Sequence, residues 1–158
     1  MKWIENICRI IFAFVFRLLR RELTEEQMNG LIQFVKFGLV GLSNTLLSTV
    51  TYMICVGLFG CHRQLGNFLG FVVGTCNSFY WNNKYVFEGE RKCVKELLYA
   101  FVKMTVSYAA TGLVLAAILL ELWVQVLHIP EIIAPVISLL ITIPLNFILN
   151  KLWALKKK

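Results

Sequence analysis

Two stretches of the sequence repeat each other 68 residues apart, and both lie at the end of a long apolar run. The first is Ser78–Asn82, with the letters SFYWN, and the second is Asn146–Asn150, with the letters NFILN. Earlier in each half, Phe34–Lys36 (FVK) returns as Phe101–Lys103 at an offset of 67 residues. Self-similarity at a fixed period indicates a chain built from copies of one unit. The sequence therefore predicts two helical hairpin repeats related in parallel, each with a basic start and an Asn-rich basic end.

The apolar runs of the sequence are long enough to cross a lipid bilayer. Hydrophobic residues make up 58% of the 158 residues and charged residues 16%, with a mean hydropathy of +0.70. A soluble domain averages about 45–50% apolar and about 25% charged residues. Runs of about 17–25 residues, the length that a membrane helix needs, occur at about 37–59, 65–81, 104–127 and 132–149. We therefore predict an all-α membrane protein in which residues 31–158 form one domain of four transmembrane helices.

Residues 1–30 are predicted to form a cytoplasmic segment with an interfacial helix and a capped lead-in to the first span. The apolar stretch Ile10–Phe16 is too short to cross a bilayer, and arginines flank it on both sides. This pattern is typical of an amphipathic helix that lies in the membrane interface. Thr24 and Gln27 then have the Thr-x-x-Gln spacing of a capping box. The spacing predicts a helix that begins there and runs through Gly30 into the first span.

Lysine and arginine residues fall almost entirely on one side of the predicted membrane. Of the 16, only Arg63 lies in a turn that we assign to the outer side. Positive residues near span ends are retained in the cytoplasm, so we predict a multi-pass protein of the cell membrane with both termini cytoplasmic. We interpret the net charge of +7 as this orientation signal and as attraction to anionic membrane lipids. No nucleic-acid partner is predicted.

Small and polar residues recur every four positions along the second and fourth spans. Such residues share one helix face. In the second span the stripe consists of Gly66, Gly70, Gly74, Ser78 and Asn82. In the fourth span it consists of Ala134, Ser138, Thr142, Asn146 and Asn150. Small residues at this spacing allow helices to pack closely, whereas buried amides need polar partners. Cross-links between helices and contacts with a polar headgroup are equally compatible with these asparagines.

Lysines at the cytoplasmic span ends, together with the asparagines, form the candidate ligand site. An ammonium group supplies a point charge, and an amide supplies hydrogen-bond donors and acceptors. If the two repeats converge, the combination suits a phosphate or pyrophosphate that bears a sugar; the alternative is that the lysines only snorkel towards water or lipid phosphate. The candidate substrate-binding residues are Lys36, Asn44, Asn77, Ser78, Asn82, Lys84, Lys103, Asn146, Asn150 and Lys151.

Signals for enzymatic or metal-dependent functions are missing from the sequence. It has no Gly-x-x-x-x-Gly-Lys-Ser/Thr phosphate loop and no acidic residue at mid-span. The five cysteines have no Cys-x-x-Cys spacing, so neither disulfides nor a metal site are expected. We predict no catalytic residue, metal or cofactor, and a protein that is not an enzyme. Glu121, His128 and Glu131 are interpreted as interfacial polar residues on the outer side, with a proton-responsive group as the alternative.

Three groups of residues resemble the GtrA family of small four-span membrane proteins. They are Phe34–Gly41 with Asn44-Thr45, Ser78–Asn82 with Tyr85-Val86-Phe87, and Asn146–Asn150 with Trp153. Two positions depart from the family pattern, because Asn83 replaces a basic residue and Leu155 replaces an aromatic one. The resemblance extends over about residues 31–153 of the chain.

The resemblance implies a role in the assembly of cell-surface glycans. Family members are linked to the movement of polyprenyl-phosphate-linked sugars from the cytoplasmic to the outer leaflet. There, a separate membrane glycosyltransferase uses them to decorate polysaccharide or teichoic acid. The positions that match the family are Lys36, Asn44, Ser78, Asn82, Asn146 and Asn150. Two alternatives stay open: a scaffold that recruits or orients a partner glycosyltransferase, and a small homo-oligomeric channel, for which a homodimer would supply the interior.

Overall fold

The computed structural model describes residues 2–20, 22–87, 93–130 and 133–155. Within these residues every regular element is helical, as the sequence predicted. The helices are α1 (Lys2–Leu18), α2 (Glu25–Met53), α3 (Arg63–Trp81), α4 (Val94–Ala109), α5 (Ala116–Glu121) and α6 (Ala134–Leu149). The chain divides into two compact units, Met1–Val86 and Phe87–Lys158. This boundary falls between the two predicted repeats.

Most of the long helices continue into π-helical turns. α2 continues as Ile54–Leu58, α3 as Asn82–Val86 and α6 as Asn150–Ala154. The segment Ala110–Leu115 joins α4 to α5, and Leu122–Val126 follows α5. π-Helical turns are rare and often lie at functional sites. Two of them here begin at the asparagines that the sequence repeats.

Within the part of the chain that the structure describes, three helical segments are long and apolar enough to cross a membrane. They are Glu25–Leu58, Val94–Val126 and Val136–Ala154. The remaining predicted span, the second at about 65–81, corresponds to α3. The 19 residues of α3 reach about 28 Å at roughly 1.5 Å per residue. Its glycines and polar residues lower its hydropathy, so length and composition alone do not identify α3 as a span.

α2 begins at the predicted capping box. The Thr24 hydroxyl accepts a hydrogen bond from the backbone N–H of Gln27, and the Gln27 side chain accepts one from the backbone N–H of Thr24. The helix then runs through Gly30 into the first span without interruption. These contacts satisfy N–H groups that the start of a helix leaves without intrahelical partners.

α1 packs against the first turns of α2. Cys8 of α1 forms an apolar cluster with Met28 and Ile32. Beside this cluster, Arg9 forms a salt bridge of 3.0 Å with Glu25. Large apolar side chains elsewhere on α1 are exposed, namely Trp3, Ile7, Ile10, Ile11, Phe14 and Leu18. The helix therefore exposes apolar residues although part of it is docked on the first unit.

A buried ammonium group joins α1 to the end of the first unit. Lys36 is only 4% exposed, and its Nζ donates to Oε1 of Glu5 at 2.5 Å and to the carbonyl oxygen of Tyr85 at 3.2 Å. The hydrogen bond from Lys36 holds the pKa of Glu5 below its usual value, because the ionised carboxylate is the better acceptor. Lys36 therefore does not snorkel to the surface, and its charge is met within the chain.

α2 and α3 are antiparallel, and the glycine stripe forms their contact. Gly66 lies against Tyr52, and eight residues further along α3 Gly74 lies against Asn44. Partner numbers on α2 fall as those on α3 rise, which defines the antiparallel direction. The three glycines of the stripe are buried. The predicted role of the stripe as a close helix contact is therefore confirmed.

The second unit has the same antiparallel arrangement. Nε1 of Trp123 donates to the hydroxyl of Ser138 at 3.1 Å. Further along α6, Asn146 accepts a hydrogen bond of 3.5 Å from Ser107 of α4. The predicted stripe on this helix faces inward, because four of its members are buried and Asn146 is half-buried. The buried members are Ala134, Ser138, Thr142 and Asn150.

The repeat is also present in the backbone where each first arm ends. The π-helical turn Ile54–Leu58 is followed by Gly60, whose φ is 64°. In the second copy, at an offset of 68 residues, the turn Leu122–Val126 is followed by His128, whose φ is 52°. In both places the next N–H donates to the carbonyl six positions earlier at 2.9 Å. His128 thus forms part of a helix end, and Glu131 lies outside the described residues.

We expect Gly70→Ala to destabilise the first unit by about 1–3 kcal/mol, the usual cost of over-packing. A β-carbon at Gly70 would lie 2.7 Å from the backbone oxygen of Ser48, which cannot rotate away. Gly38→Ala is the matched control, because nothing lies within 4 Å of its β-carbon position. The control should be neutral or slightly stabilising. Unfolding in mixed detergent, followed by circular dichroism, measures both. Equal stability of Gly70→Ala and wild type would contradict the close contact.

The contact between α1 and α2 should weaken in acid. The lowered pKa of Glu5 means that its stabilising effect is full above the ordinary value of 4.5 and is lost as pH falls through the lowered value. Glu5→Gln should therefore speed hydrogen exchange of the α1 amides at neutral pH, and this difference from wild type should shrink as the pH falls through the lowered pKa of Glu5. Glu22→Gln, which changes an exposed carboxylate, should leave the exchange unaltered. Identical protection in Glu5→Gln and wild type at neutral pH would refute this role.

Candidate functional site

The stripe of α3 ends in two polar residues that are fully buried. Ser78 and Asn82 are both 0% exposed. Among the described residues, the hydroxyl of Ser78 has no hydrogen-bond partner, although buried polar atoms rarely lack one. Asn82 begins the π-helical turn that extends α3. The first unit therefore places polar groups in its interior at the end where Lys36 and Tyr85 meet.

Two other predicted site residues of the first unit contribute to helix packing. Nδ2 of Asn77 on α3 donates to the hydroxyl of Ser43 on α2 at 3.0 Å. Asn44 lies against Gly74, and its Oδ1 accepts a hydrogen bond of 3.5 Å from Ser48. For Asn77 the structure thus shows a helix cross-link, one of the two alternatives that the sequence left open.

Lys84 lies beyond the end of α3 among tyrosine side chains. Its Nζ donates to the hydroxyl of Tyr80 at 3.0 Å and lies 5.1 Å from the ring centroid of Tyr85. The hydrogen bond with Tyr80, and then the one with Tyr85, raises the pKa of Lys84. Because lysine already titrates far above neutrality, the exposed ammonium of Lys84 stays charged at neutral pH.

The repeated asparagines of the second unit bind each other. Nδ2 of Asn150 donates to the backbone oxygen of Asn146 at 2.8 Å and to its Oδ1 at 2.9 Å. Ser107 approaches the same Oδ1 from α4. Asn150 is 0% exposed, and its own Oδ1 has no hydrogen-bond partner among the described residues. The second unit therefore buries an amide oxygen whose capacity to accept a hydrogen bond is unused.

The two predicted site lysines of the second unit lie over aromatic rings. Nζ of Lys103 is 4.4 Å from the ring centroid of Tyr99 and 5.2 Å from that of Trp153. Nζ of Lys151 is 5.7 Å from the ring centroid of Phe147. Cation–π contacts of this kind contribute about 0.5–2 kcal/mol. Neither lysine forms an ion pair with a described residue.

The predicted site residues are divided between the two units. Six lie in Met1–Val86 and four in Phe87–Lys158. Within each unit, the lysine of the first arm lies beside the turn that follows the repeated asparagine. Lys36 contacts Tyr85 in this way, and Lys103 contacts Trp153. The same combination of lysine, buried amide and aromatic residue thus occurs twice.

Three residues of this arrangement were not predicted from the sequence. Glu5 is 31 residues from Lys36, so no local spacing connects them. Ser107 binds an asparagine on another helix, which also requires the tertiary structure. Tyr99 was recognisable, because residues four apart on a helix are neighbours. No group of three or more His, Cys, Asp or Glu side chains among the described residues could hold a metal ion.

The chain is similar to proteins named as translocases. A prophage bactoprenol-linked glucose translocase homolog of Escherichia coli K12 is 32% identical over 74 residues, which are 47% of this chain and 62% of that protein. The bactoprenol-linked glucose translocase of Shigella phage SfV is 33% identical over 66 residues, which are 42% of this chain and 55% of that protein. The matched segments thus span less than two thirds of the length of these relatives.

A longer match comes from a protein-family model. The model of the GtrA/DPMS transmembrane domain matches residues 36–155. This segment contains both Asn-rich stretches, Ser78–Asn82 and Asn146–Asn150, and all ten predicted site residues, from Lys36 to Lys151. The chain therefore belongs to the GtrA/DPMS transmembrane-domain family.

Proposed function

We propose that this chain moves a bactoprenol-linked sugar from the cytoplasmic to the outer leaflet of the cell membrane. The sugar would then decorate a cell-surface polysaccharide or teichoic acid. One observation carries the proposal: each unit has a lysine beside the turn that follows a buried asparagine. The names of the relatives, bactoprenol-linked glucose translocases, indicate a ligand with both a phosphate and a sugar.

The proposed function needs helices that cross the membrane in pairs. α2 is long and apolar enough to span, and α3 follows it after the short connection at residues 59–62. Because α3 runs antiparallel along α2, we take it as the second of the four spans. Four spans in residues 31–158 would leave both termini in the cytoplasm, where the positive charges favour them. α1 would then lie in the inner membrane interface with its exposed apolar residues in lipid.

Different candidate residues would bind different parts of the ligand. A sugar that leaves water loses hydrogen bonds, and each unsatisfied polar group in hydrocarbon costs free energy. Ser78 and Asn82 in the first unit, and Asn146 and Asn150 in the second, offer hydroxyl and amide groups that replace water. A lysine ammonium would bind the phosphate while the polyprenyl tail stays in lipid. In this structure each stripe is packed against the neighbouring helix of its pair. The sugar would therefore reach the stripe residues only when the two helices of a pair separate.

Several partners follow from this proposal. A membrane glycosyltransferase would consume the sugar on the outer side, so the chain itself needs no catalytic residue. Anionic lipids would surround the cytoplasmic lysines, and a homodimer would enlarge the interior that a thin bundle provides. Without an energy-coupling motif in the sequence, transport would follow the concentration gradient of the lipid-linked sugar.

A scaffold for a partner glycosyltransferase is the second candidate function. The exposed apolar residues of α1, among them Trp3, Ile10 and Phe14, favour it, because such a surface also suits a membrane partner. A scaffold would bind its partner enzyme through this surface. The interior asparagines would then matter only for stability.

We expect purified wild-type protein to accelerate translocation of bactoprenol-linked glucose in proteoliposomes. Asn82→Ala and Asn150→Ala should each slow it by about tenfold or more, because a lost buried hydrogen bond costs about 1–3 kcal/mol and about 1.4 kcal/mol is tenfold in rate. Asn67→Ala is the control, since Asn67 lies on α3, the helix that Asn82 extends, but is exposed. Helicity and elution volume should be equal in all variants.

The same assay separates the two candidate functions. Translocation no faster than in empty liposomes would contradict transport by this chain. The scaffold function instead predicts that a glycosyltransferase co-purifies with the chain and keeps its activity when Asn82 or Asn150 is replaced by alanine.

A further inference from the structure

The two copies of the repeat use their equivalent lysines differently. Lys36 and Lys103 are the third residues of the two Phe-Val-Lys segments. Lys36 is buried and paired with Glu5. Lys103 is half-buried, and no carboxylate among the described residues pairs with it. Identical positions in the repeat therefore differ in whether an anion is already bound.

The first unit reveals what this position binds. The ammonium of Lys36 donates hydrogen bonds to one carboxylate oxygen of Glu5 and to the carbonyl oxygen of Tyr85. Glu5 belongs to α1, a helix that precedes the repeat and has no counterpart in the second copy among the described residues. The Glu5 carboxylate thus shows that a lysine at this position of the repeat can bind an anionic oxygen. In the second unit no described carboxylate supplies this oxygen to Lys103.

Two aromatic rings position Lys103 without neutralising it. Its Nζ lies 4.4 Å from the ring centroid of Tyr99 and 5.2 Å from that of Trp153. A ring face attracts a cation but brings no negative charge, so the ammonium can still bind an anion. Tyr99 is 57% exposed and Trp153 is 45% exposed, which makes this cluster accessible. A positioned lysine also loses less conformational freedom when a ligand binds.

We infer that Lys103, held between Tyr99 and Trp153, is the ammonium that binds the phosphate of the lipid-linked sugar, whereas Lys36 is a structural ammonium occupied by Glu5. The inference rests on the proposed function for the identity of the ligand. It separates two lysines that the sequence pattern treats as equal. It also adds Tyr99 and Trp153 to the site as the residues that position the charge.

Binding to the full-length chain in nanodiscs of neutral lipid tests this inference. Bactoprenol-linked glucose is added, and affinity is measured by native mass spectrometry. Lys103→Gln should weaken binding by about tenfold or more, the loss expected for a charged hydrogen bond. Lys95→Gln, which removes an exposed charge from the same helix, should change it less than about twofold. Equal affinity of Lys103→Gln and wild type would overturn the inference.

The structural role of Lys36 needs a variant that avoids an unpaired buried charge. The double variant Glu5→Gln/Lys36→Gln replaces the ion pair with two neutral side chains of similar size. We expect it to bind bactoprenol-linked glucose within about twofold of wild type, because no ligand contact is lost. A tenfold loss in a double variant of native helicity would show that Lys36 contacts the ligand, and would overturn its assignment as structural.

Two further ligands identify the source of the phosphate. The inference predicts that Lys103→Gln weakens the binding of bactoprenol-linked glucose more than it weakens the binding of phosphatidylglycerol. An equal loss for both lipids would make Lys103 a general contact for anionic lipids and would overturn the specific assignment. Soluble glucose 1-phosphate should compete with the lipid-linked sugar in wild type and lose this ability in Lys103→Gln. Competition that is unchanged in Lys103→Gln would place the phosphate elsewhere.

The binding assay involves no movement between leaflets, so its failure can be distinguished from failure of the proposed transport. Lys103-dependent binding without translocation by wild type would contradict the transport proposal and leave the phosphate assignment intact. Translocation by wild type, with affinity independent of Lys103, would refute the assignment alone.

Discussion

Polar side chains inside a bilayer have no water to bind, so each of them needs a partner within the protein. This constraint accounts for the arrangement of both units. Glycines bring the first pair of helices close enough for Asn77 to reach Ser43. In the second pair, Ser107 and Asn150 both donate to Asn146. Large apolar side chains are left on the outside, and the polar stripe is turned inward where it could receive a sugar.

Features with a local period were predictable from the sequence, and long-range contacts were not. A four-residue spacing on a helix fixes a common face, which is why the burial of Gly70, Ser78 and Asn150 could be predicted. The capping box of α2 is equally local. The pairing of Glu5 with Lys36 requires α1 to fold back onto α2. A periodic sequence pattern does not predict such a long-range contact. The run at residues 65–81 was predicted as a span, but α3 is not among the three segments that are long and apolar enough to cross a membrane, because the glycines that pack it closely have low hydropathy.

The internal repeat preserves geometry while its chemistry has diverged. Both copies place a lysine beside the turn after the repeated asparagine, and both end their first arm with a left-handed residue. Among the described residues, only the first copy has a preceding helix whose carboxylate pairs with the ammonium. In the first copy Lys36 therefore binds α1, whereas in the second copy Lys103 lies between two aromatic rings. In this account, one duplicated position became structural and the other is open to the phosphate.

The central claim is that the ammonium of Lys103 meets the phosphate of the lipid-linked sugar. Solid-state NMR on protein with 15N-labelled lysine side chains tests it directly through dephasing of the 31P signal of bound bactoprenol-linked glucose. The account predicts that dephasing occurs in wild type, persists in Glu5→Gln/Lys36→Gln and disappears in Lys103→Gln at saturating ligand. Dephasing that survives in Lys103→Gln, or is absent from saturated wild type, would contradict the claim.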